Sequence, residues 1–401
     1  MSKTSRRLMQ KGFTLIELMV ALTMGLLIML ALITMLINVS RNNNEMSKTN
    51  RVIENGRFAL QLLESDISHA GYWGGYVPEF DNLTVTAAPT DVPTAVPDPC
   101  LTYSSANWNA AHKANLLGLS IQGYEIPSTV PSPTLSVCAS IVTSPKANTD
   151  VLLVRHAETC LPGVGNCAVV NAADLNFQVN RCGTTSVLTP AYVLSNDATT
   201  LILKKRLNDC TVANTVANTN EYRRFMSSLY YVRNYSVTAG DGIPTLMRSQ
   251  FGQVSGVLQH KSADAMIEGV EGFRVEYGVD NLSDSGAAVD FTTAINWASV
   301  ISPTNRGDGT PDDRYVRCTT AAACTVAQLM NTVAVKIYVL IRSENTSSGY
   351  TDSKVYCLSS SGCPAGESPS RTLGPFNDGY KRHLFTQTVR LNNISTRRET
   401  P

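Results

Sequence analysis

The sequence predicts an α+β protein: a long N-terminal α-helix packed on a mainly antiparallel β head held by disulfides. Three observations predict it. An apolar run from Phe13 to Val39 is long enough to cross a membrane. A proline-free amphipathic stretch follows, from Asn44 to His69. From residue 150 onward, runs of β-branched and aromatic residues recur with polar alternation. No repeat of fixed period and no βαβ succession accompanies them.

The first element is a basic leader, residues 1–12, with Lys3, Arg6, Arg7 and Lys11 ahead of Gly12. Residues 13–39 contain no proline, and Glu17 is their only charge. At 1.5 Å per residue they span about 40 Å, more than the roughly 30 Å hydrocarbon core. A secretory signal would have a shorter apolar region, with its small-residue cleavage site after it. Here the small residue comes first, so cleavage at Gly12 would leave the anchor attached. The positive-inside rule keeps the leader cytoplasmic and sends the C-terminal bulk across a membrane. A carboxylate at Glu17 costs about 2.5–3.5 kcal/mol on insertion scales, so it calls for a partner.

Residues 40–71 extend the helix. Ile53, Gly56, Leu60, Leu63, Ile67 and Ala70 form one apolar stripe at steps of three and four, with Arg51, Arg57, Gln61, Glu64 and Asp66 off it. Gly71 is the expected C-cap, and Gly25 and Gly56 are expected weak points. Residues 72–149 read as an irregular Pro/Thr/Ser-rich excursion. Residues 150–401 read as a β head. Expected strands are 150–156, 191–194, 201–203, 225–237, 273–279, 333–341 and 380–391, with 263–268 either a helical turn or a strand entry. The almost continuously apolar 333–341 is expected to be central.

The chain has 401 residues, 43% of them apolar and 16% charged, which describes a globular protein. Its net charge is +1; without the four basic leader residues, 29 basic face 32 acidic. A near-neutral body excludes a general nucleic-acid binder. The basic clusters Lys204-Lys205-Arg206 and Arg223-Arg224 read as solvated strand ends. Ten cysteines occur with no CxxC, against a zinc ribbon or thioredoxin motif. A head outside the cytoplasm favours disulfides. Sequence neighbours would give Cys100/Cys138, Cys160/Cys167, Cys182/Cys210, Cys318/Cys324 and Cys357/Cys363, although spacing alone leaves connectivity open.

No enzyme constellation is found: no HExxH, no Walker A loop, no GxSxG elbow. Ser255 in Gly252-Gln253-Val254-Ser255-Gly256 has the glycine one residue too close, and the five histidines are scattered. No cofactor is expected. The best metal candidate is calcium in the loop 305–313, with Asp308, Asp312 and Asp313 as oxygen ligands. EF-hand spacing and the closing Glu are missing, so a solvated acidic turn is the simpler reading. Asp280 and Asp284 form a second such pair.

Gly12-Phe13-Thr14-Leu15-Ile16-Glu17 resembles the class III leader of type IV pilins and type II secretion pseudopilins. Four further stretches resemble the large minor-pilin family called PilW: Gly56–Leu63 leading to Ala70–Gly74; Ile267–Glu271 with Tyr277–Asp280; Val333–Ser343; and Val389–Asn393. The resemblance implies a pilin-like fold, cleavage between Gly12 and Phe13 by a prepilin peptidase, and methylation of the new amine on Phe13. It also implies a partner for Glu17, the amine of a neighbouring subunit, so that a buried charge pair sets register in assembly. Implied partners are other minor pilins, the major pilin and the inner-membrane assembly platform. The implied place is a single-pass inner-membrane protein with a periplasmic head, later part of a surface pilus. A large minor pseudopilin of a type II secretion system and a tip adhesin using residues 77–260 are the alternatives. Residues 77–260 carry no resemblance.

Overall fold

The computed structural model describes residues 12–128, 133–165, 167, 169, 171, 173–182, 190–212, 215–297, 303–313, 315–364 and 371–399. The chain divides between Arg51 and Val52 into two compact units. One helix, α1 (Leu15–His69), is continuous across the division. In the first unit its side chains are exposed from Leu15 through Val39, and this stretch is long and apolar enough to cross a membrane.

In the second unit α1 buries Val52, Gly56, Ala59, Leu63 and Ile67, and Ala70 follows. The stripe is therefore centred on smaller residues than expected. Val52 and Ala59 replace Ile53 and Leu60, and Ile53 stays 41% exposed. The reason is close approach. A Cβ on Gly56 would lie 2.1 Å from the Phe385 ring, so the expected weak point is where helix and sheet come nearest. Gly71, at φ 73°, ends the helix in the left-handed conformation that glycine adopts without strain.

Two sheets follow. The first contains β1 (Ile121–Ile126), β2 (Thr149–Ala157), β3 (Asn176–Val179), β4 (Tyr192–Ser195), β5 (Tyr222–Arg233), β6 (Thr245–Val254), β7 (Val257–His260) and β8 (Asp264–Glu268). Its order is β1-β2-β5-β3-β4, with β6 pairing β5, β7 and β8. The second contains β9 (Val270–Val279), β10 (Tyr315–Val316), β11 (Thr332–Arg342) and β14 (Arg382–Arg390), in the order β10-β9-β11-β14. A small ribbon pairs β12 (Tyr356–Cys357) with β13 (Thr372–Leu373). All strand pairings are antiparallel. The apolar segment 333–341 is central, as its composition requires. One core joins Ala59, Leu63 and Ile67 of α1 to Leu152 and Tyr230 of the first sheet and to Phe273, Val335, Ile337 and Val339 of the second. This is the α+β arrangement that the sequence predicts.

Several elements differ from expectation. The stretch read as irregular holds α2 (Ala110–Gly118) and β1. Asn109 caps α2 by accepting the His112 N–H. Leu201–Leu203 is not a strand. Leu201 and Leu203 are buried in strand-like alternation, but the Leu203 N–H donates to the Gln178 side chain and no ladder forms. Residues 263–268 are strand rather than helical turn. Two short helices complete the fold: α3 (Val326–Met330), with a Thr325/Gln328 capping box, and α4 (Asn392–Arg398).

Candidate functional site

The N-terminal segment is built for exposure. Gly12 has nothing within 4 Å of where a Cβ would sit, and Phe13 is 88% exposed. Neither lies in the helix, which starts at Leu15. Glu17 already has a partner in its own chain. The Thr14 N–H and hydroxyl both donate to Glu17 Oε2, at 2.9 and 2.8 Å, and the Glu17 N–H donates back to Thr14 Oγ1 at 3.4 Å. This is a capping box. It satisfies orphan donors of the first helical turn and places a carboxylate at the positive end of the helix dipole. Its signal, Thr-x-x-Glu, is legible in Thr14-Leu15-Ile16-Glu17 but was not among the sequence expectations.

At the other end α1 is fastened by polar contacts. Asp66 Oδ1 lies 3.0 Å from His156 Nε2, and the Tyr230 hydroxyl donates to Asp66 Oδ2 at 2.9 Å. Burial opposes the Asp66 charge, but the hydrogen bond and charge of His156 hold its carboxyl below the usual range. The His156 Nδ1 lies 2.8 Å from the Ala157 carbonyl, so both ring nitrogens face acceptors. Asn55 donates to the Glu268 carbonyl, and Asn393 of α4 donates to the Ser68 and Ala70 carbonyls.

Two matches to family models bear on these features. Residues 7–33 match the prokaryotic N-terminal methylation motif. Residues 229–393 match the family of type IV pilus-assembly protein W, PilW. Over residues 229–393 the chain is similar to PilW, a type IV pilus-assembly protein, and its N-terminus matches the methylation motif. The family is structural and non-enzymatic. The PilW match runs from within β5 to the start of α4, so it contains the whole second sheet on which α1 packs. The match leaves out α2 and β1 to β4. No curated protein matches the chain in sequence. Among solved structures, a type IV-like pilin from Thermus thermophilus aligns at 13% identity over 63% of this chain and 82% of its own, with a TM-score of 0.25.

The remaining candidates resolve as follows. All ten cysteines are paired between sequence neighbours: Cys100–Cys138, Cys160–Cys167, Cys182–Cys210, Cys318–Cys324 and Cys357–Cys363. The calcium candidates do not converge. Asp308 Oδ1 accepts the Thr310 N–H and hydroxyl, Asp312 Oδ2 accepts the Asn281 and Leu282 N–H groups, and Asp313 is exposed at φ 52°. The Asp308 and Asp312 carboxylates serve as local backbone caps. Among the described residues no group of three His, Cys, Asp or Glu could hold a metal ion.

Asp280 joins an ion cluster instead. Burial pushes its carboxyl up to about 6, against the pull of Arg398. Arg398 is buried, donates to Asp81 and Asp280, and so pins α4 to the short helix Glu79–Asp81. His260 lies between the Ser227 and Ser249 hydroxyls and is pushed down to about 3 by burial, with the Arg155 charge adding to it. It is a neutral core histidine. In the basic clusters, Arg223 donates to the carbonyls of Glu158, Thr159 and Cys160, and Arg224 pairs with Glu158.

Proposed function

We propose that this chain is a minor pilin that primes pilus assembly and sits at or near the pilus tip. The observation carrying the proposal is the join of two parts. An exposed Gly12-Phe13 followed by a bare apolar helix is a subunit's filament-forming end, and the PilW-matched sheet holds the other end of the same helix. In this reading a prepilin peptidase cuts between Gly12 and Phe13, and the new Phe13 amine is methylated. The helix anchors the chain in the inner membrane with the head in the periplasm. It then enters the filament among the major and other minor pilins by way of the assembly platform.

Glu17 would change partners on the way. Its carboxylate caps its own helix through Thr14 and is free to exchange that bond for the charged amine of a neighbour. The Thr14 donors are neutral whereas the amine carries a full charge, and the attraction of two opposite charges grows in the low-dielectric core of a filament, so the exchange favours the assembled state. Size argues for the tip. The 331 residues from Gly71 onward have a radius of gyration of about 20 Å, whereas packed helices stand about 8–10 Å apart. Such a head is hard to repeat in every layer.

Glu17→Ala with the leader intact tests the docking role. Cleavage at Gly12 is expected to persist while incorporation into pili falls at least tenfold. Normal piliation and normal co-purification with other pilins would refute it.

A further inference from the structure

Among the described residues strand β1 is an edge strand, paired with β2 alone. The Arg155 N–H donates to the Ser120 carbonyl and the Asn148 N–H to the Ile126 carbonyl, so the even-numbered residues turn their backbone groups toward β2. Gly123 and Glu125 therefore turn their N–H and C=O groups outward. These groups take no partner among the described residues. The edge they form is the floor of a cleft of ≈390 Å³.

Two disulfides frame this cleft. Cys100–Cys138 ties Pro97–Pro99 on one wall to Val137 on another, and Cys318–Cys324 closes the third side. The walls are thus fixed in advance, which lowers the entropy lost on binding. Polar groups converge there. Asp98 Oδ1 accepts the Cys100 N–H, and Oδ2 has no partner among the described residues. The Tyr124 hydroxyl likewise takes none, and burial pushes its pKa up to about 12, so it remains a donor. Glu125 is committed to Arg317 and Thr320. Among the described residues no basic side chain lines the cleft; Arg317, next to it, is paired with Glu125 and Asp150, and Arg155 is held by the Leu119 carbonyl and Gln122 and forms no ion pair with Asp98.

We propose that this cleft is a strand-addition site that takes an extended polypeptide segment of a partner subunit, with a lysine or arginine of that segment meeting Asp98. An open edge alternating donor and acceptor is matched by another backbone. The carboxylate oxygen at its side, in a cleft without cations, selects a basic side chain. Two prolines in the wall offer no N–H that would compete for that backbone. That the partner is a pilus subunit rests on the assembly role proposed above; the strand-binding chemistry stands apart from it.

The test uses the full chain in detergent micelles and three fluorescein-labelled decapeptides of alternating Thr and Val. One has a central Lys, one a central Glu, and one a central Lys with alternate amides N-methylated. Fluorescence anisotropy is expected to show saturable binding of the Lys peptide, at least tenfold tighter than the Glu peptide and lost on N-methylation. Asp98→Asn keeps an acceptor for the Cys100 N–H and should bring the Lys and Glu peptides within threefold of each other. Val137→Arg, at the 55% exposed rim, should weaken the Lys peptide at least tenfold. Absence of saturable binding, equal binding of the N-methylated peptide, or a Lys preference unchanged in Asp98→Asn would overturn the proposal. None of these outcomes depends on piliation, so they are separable from a failure of the assembly role.

Discussion

The two sheets of the head are held in different ways. The second sheet uses three long strands, β9, β11 and β14, and buried arginines. Arg382 on β14 donates to Glu271 at 2.5 Å, to Asp352 at 3.0 Å and to Asp378 at 2.6 Å, with the Phe376 ring 3.7 Å from its guanidinium carbon. The first sheet has short outer strands, β3 and β4 of four residues each, and its loops are tied by disulfides. Cys100–Cys138 and Cys182–Cys210 close sequence separations of 38 and 28, whereas the two disulfides beside the second sheet close only 6 each. Between the sheets Asp150 of β2 accepts the Val275 N–H of β9 and pairs with Arg317. The PilW match contains all of the second sheet. Of the first sheet it leaves out β1 to β4, and the two disulfides that close long separations tie the loops around those strands.

That contrast predicts a hierarchy of losses. The largest belongs to Arg382→Leu. It leaves three carboxylates around a buried position, and removing one partner of a buried pair costs about 3–5 kcal/mol. Denaturant unfolding of the solubilised chain measures it, and a loss below about 1 kcal/mol would break the contrast. Next is the double variant Cys100→Ser/Cys138→Ser. The chain-entropy relation gives ~4 kcal/mol for a loop of that length and ~2 kcal/mol for Cys318→Ser/Cys324→Ser. Equal losses from the two would show that loop length is not the cause.

The smallest effect per step is a pH slope. His260 is depressed to about 3 in the fold and titrates at 6.5 when exposed. Its contribution is present above the unfolded value and is lost as pH falls from 6.5 toward 3, by at most ~1.4 kcal/mol per pH unit. Asp280, raised to about 6, works with the opposite sign. Its contribution is present at low pH and lost as pH rises through 6. Unfolding of His260→Gln should lack the His260 part of the slope. An unchanged slope would mean that His260 is accessible to protons in the native state.

Legibility in the sequence follows the same division. Strands β2, β9, β11 and β14 were readable because a two-residue period or a long apolar run survives in the chain itself. The exposed apolar first half of α1 was readable because a proline-free apolar run of that length follows the strict rules of a membrane. Elements β1 and α2 were hidden in a Pro- and Thr-rich stretch, where a cap at Asn109 and a six-residue edge strand leave little local signal. On the helix stripe Gly56, Leu63, Ile67 and Ala70 are buried as expected, while Val52 and Ala59 take the places of Ile53 and Leu60, because side-chain size alone favours the larger residues and the close approach of the sheet favours the small Ala59. The acidic loop at 305–313 has the composition of a cation site. Only the fold shows Asp308 and Asp312 turned onto backbone amides.

The most direct measurement is a strain lacking this protein, scored at once for surface pili, twitching motility and protein secretion. A priming minor pilin predicts that pili and twitching are lost, that secretion is normal, and that the wild-type chain restores both while Glu17→Ala does not. Lost secretion with intact pili would place the chain in a type II secretion system. Intact pili that fail only to attach would make it an adhesin. Either result would contradict the priming role.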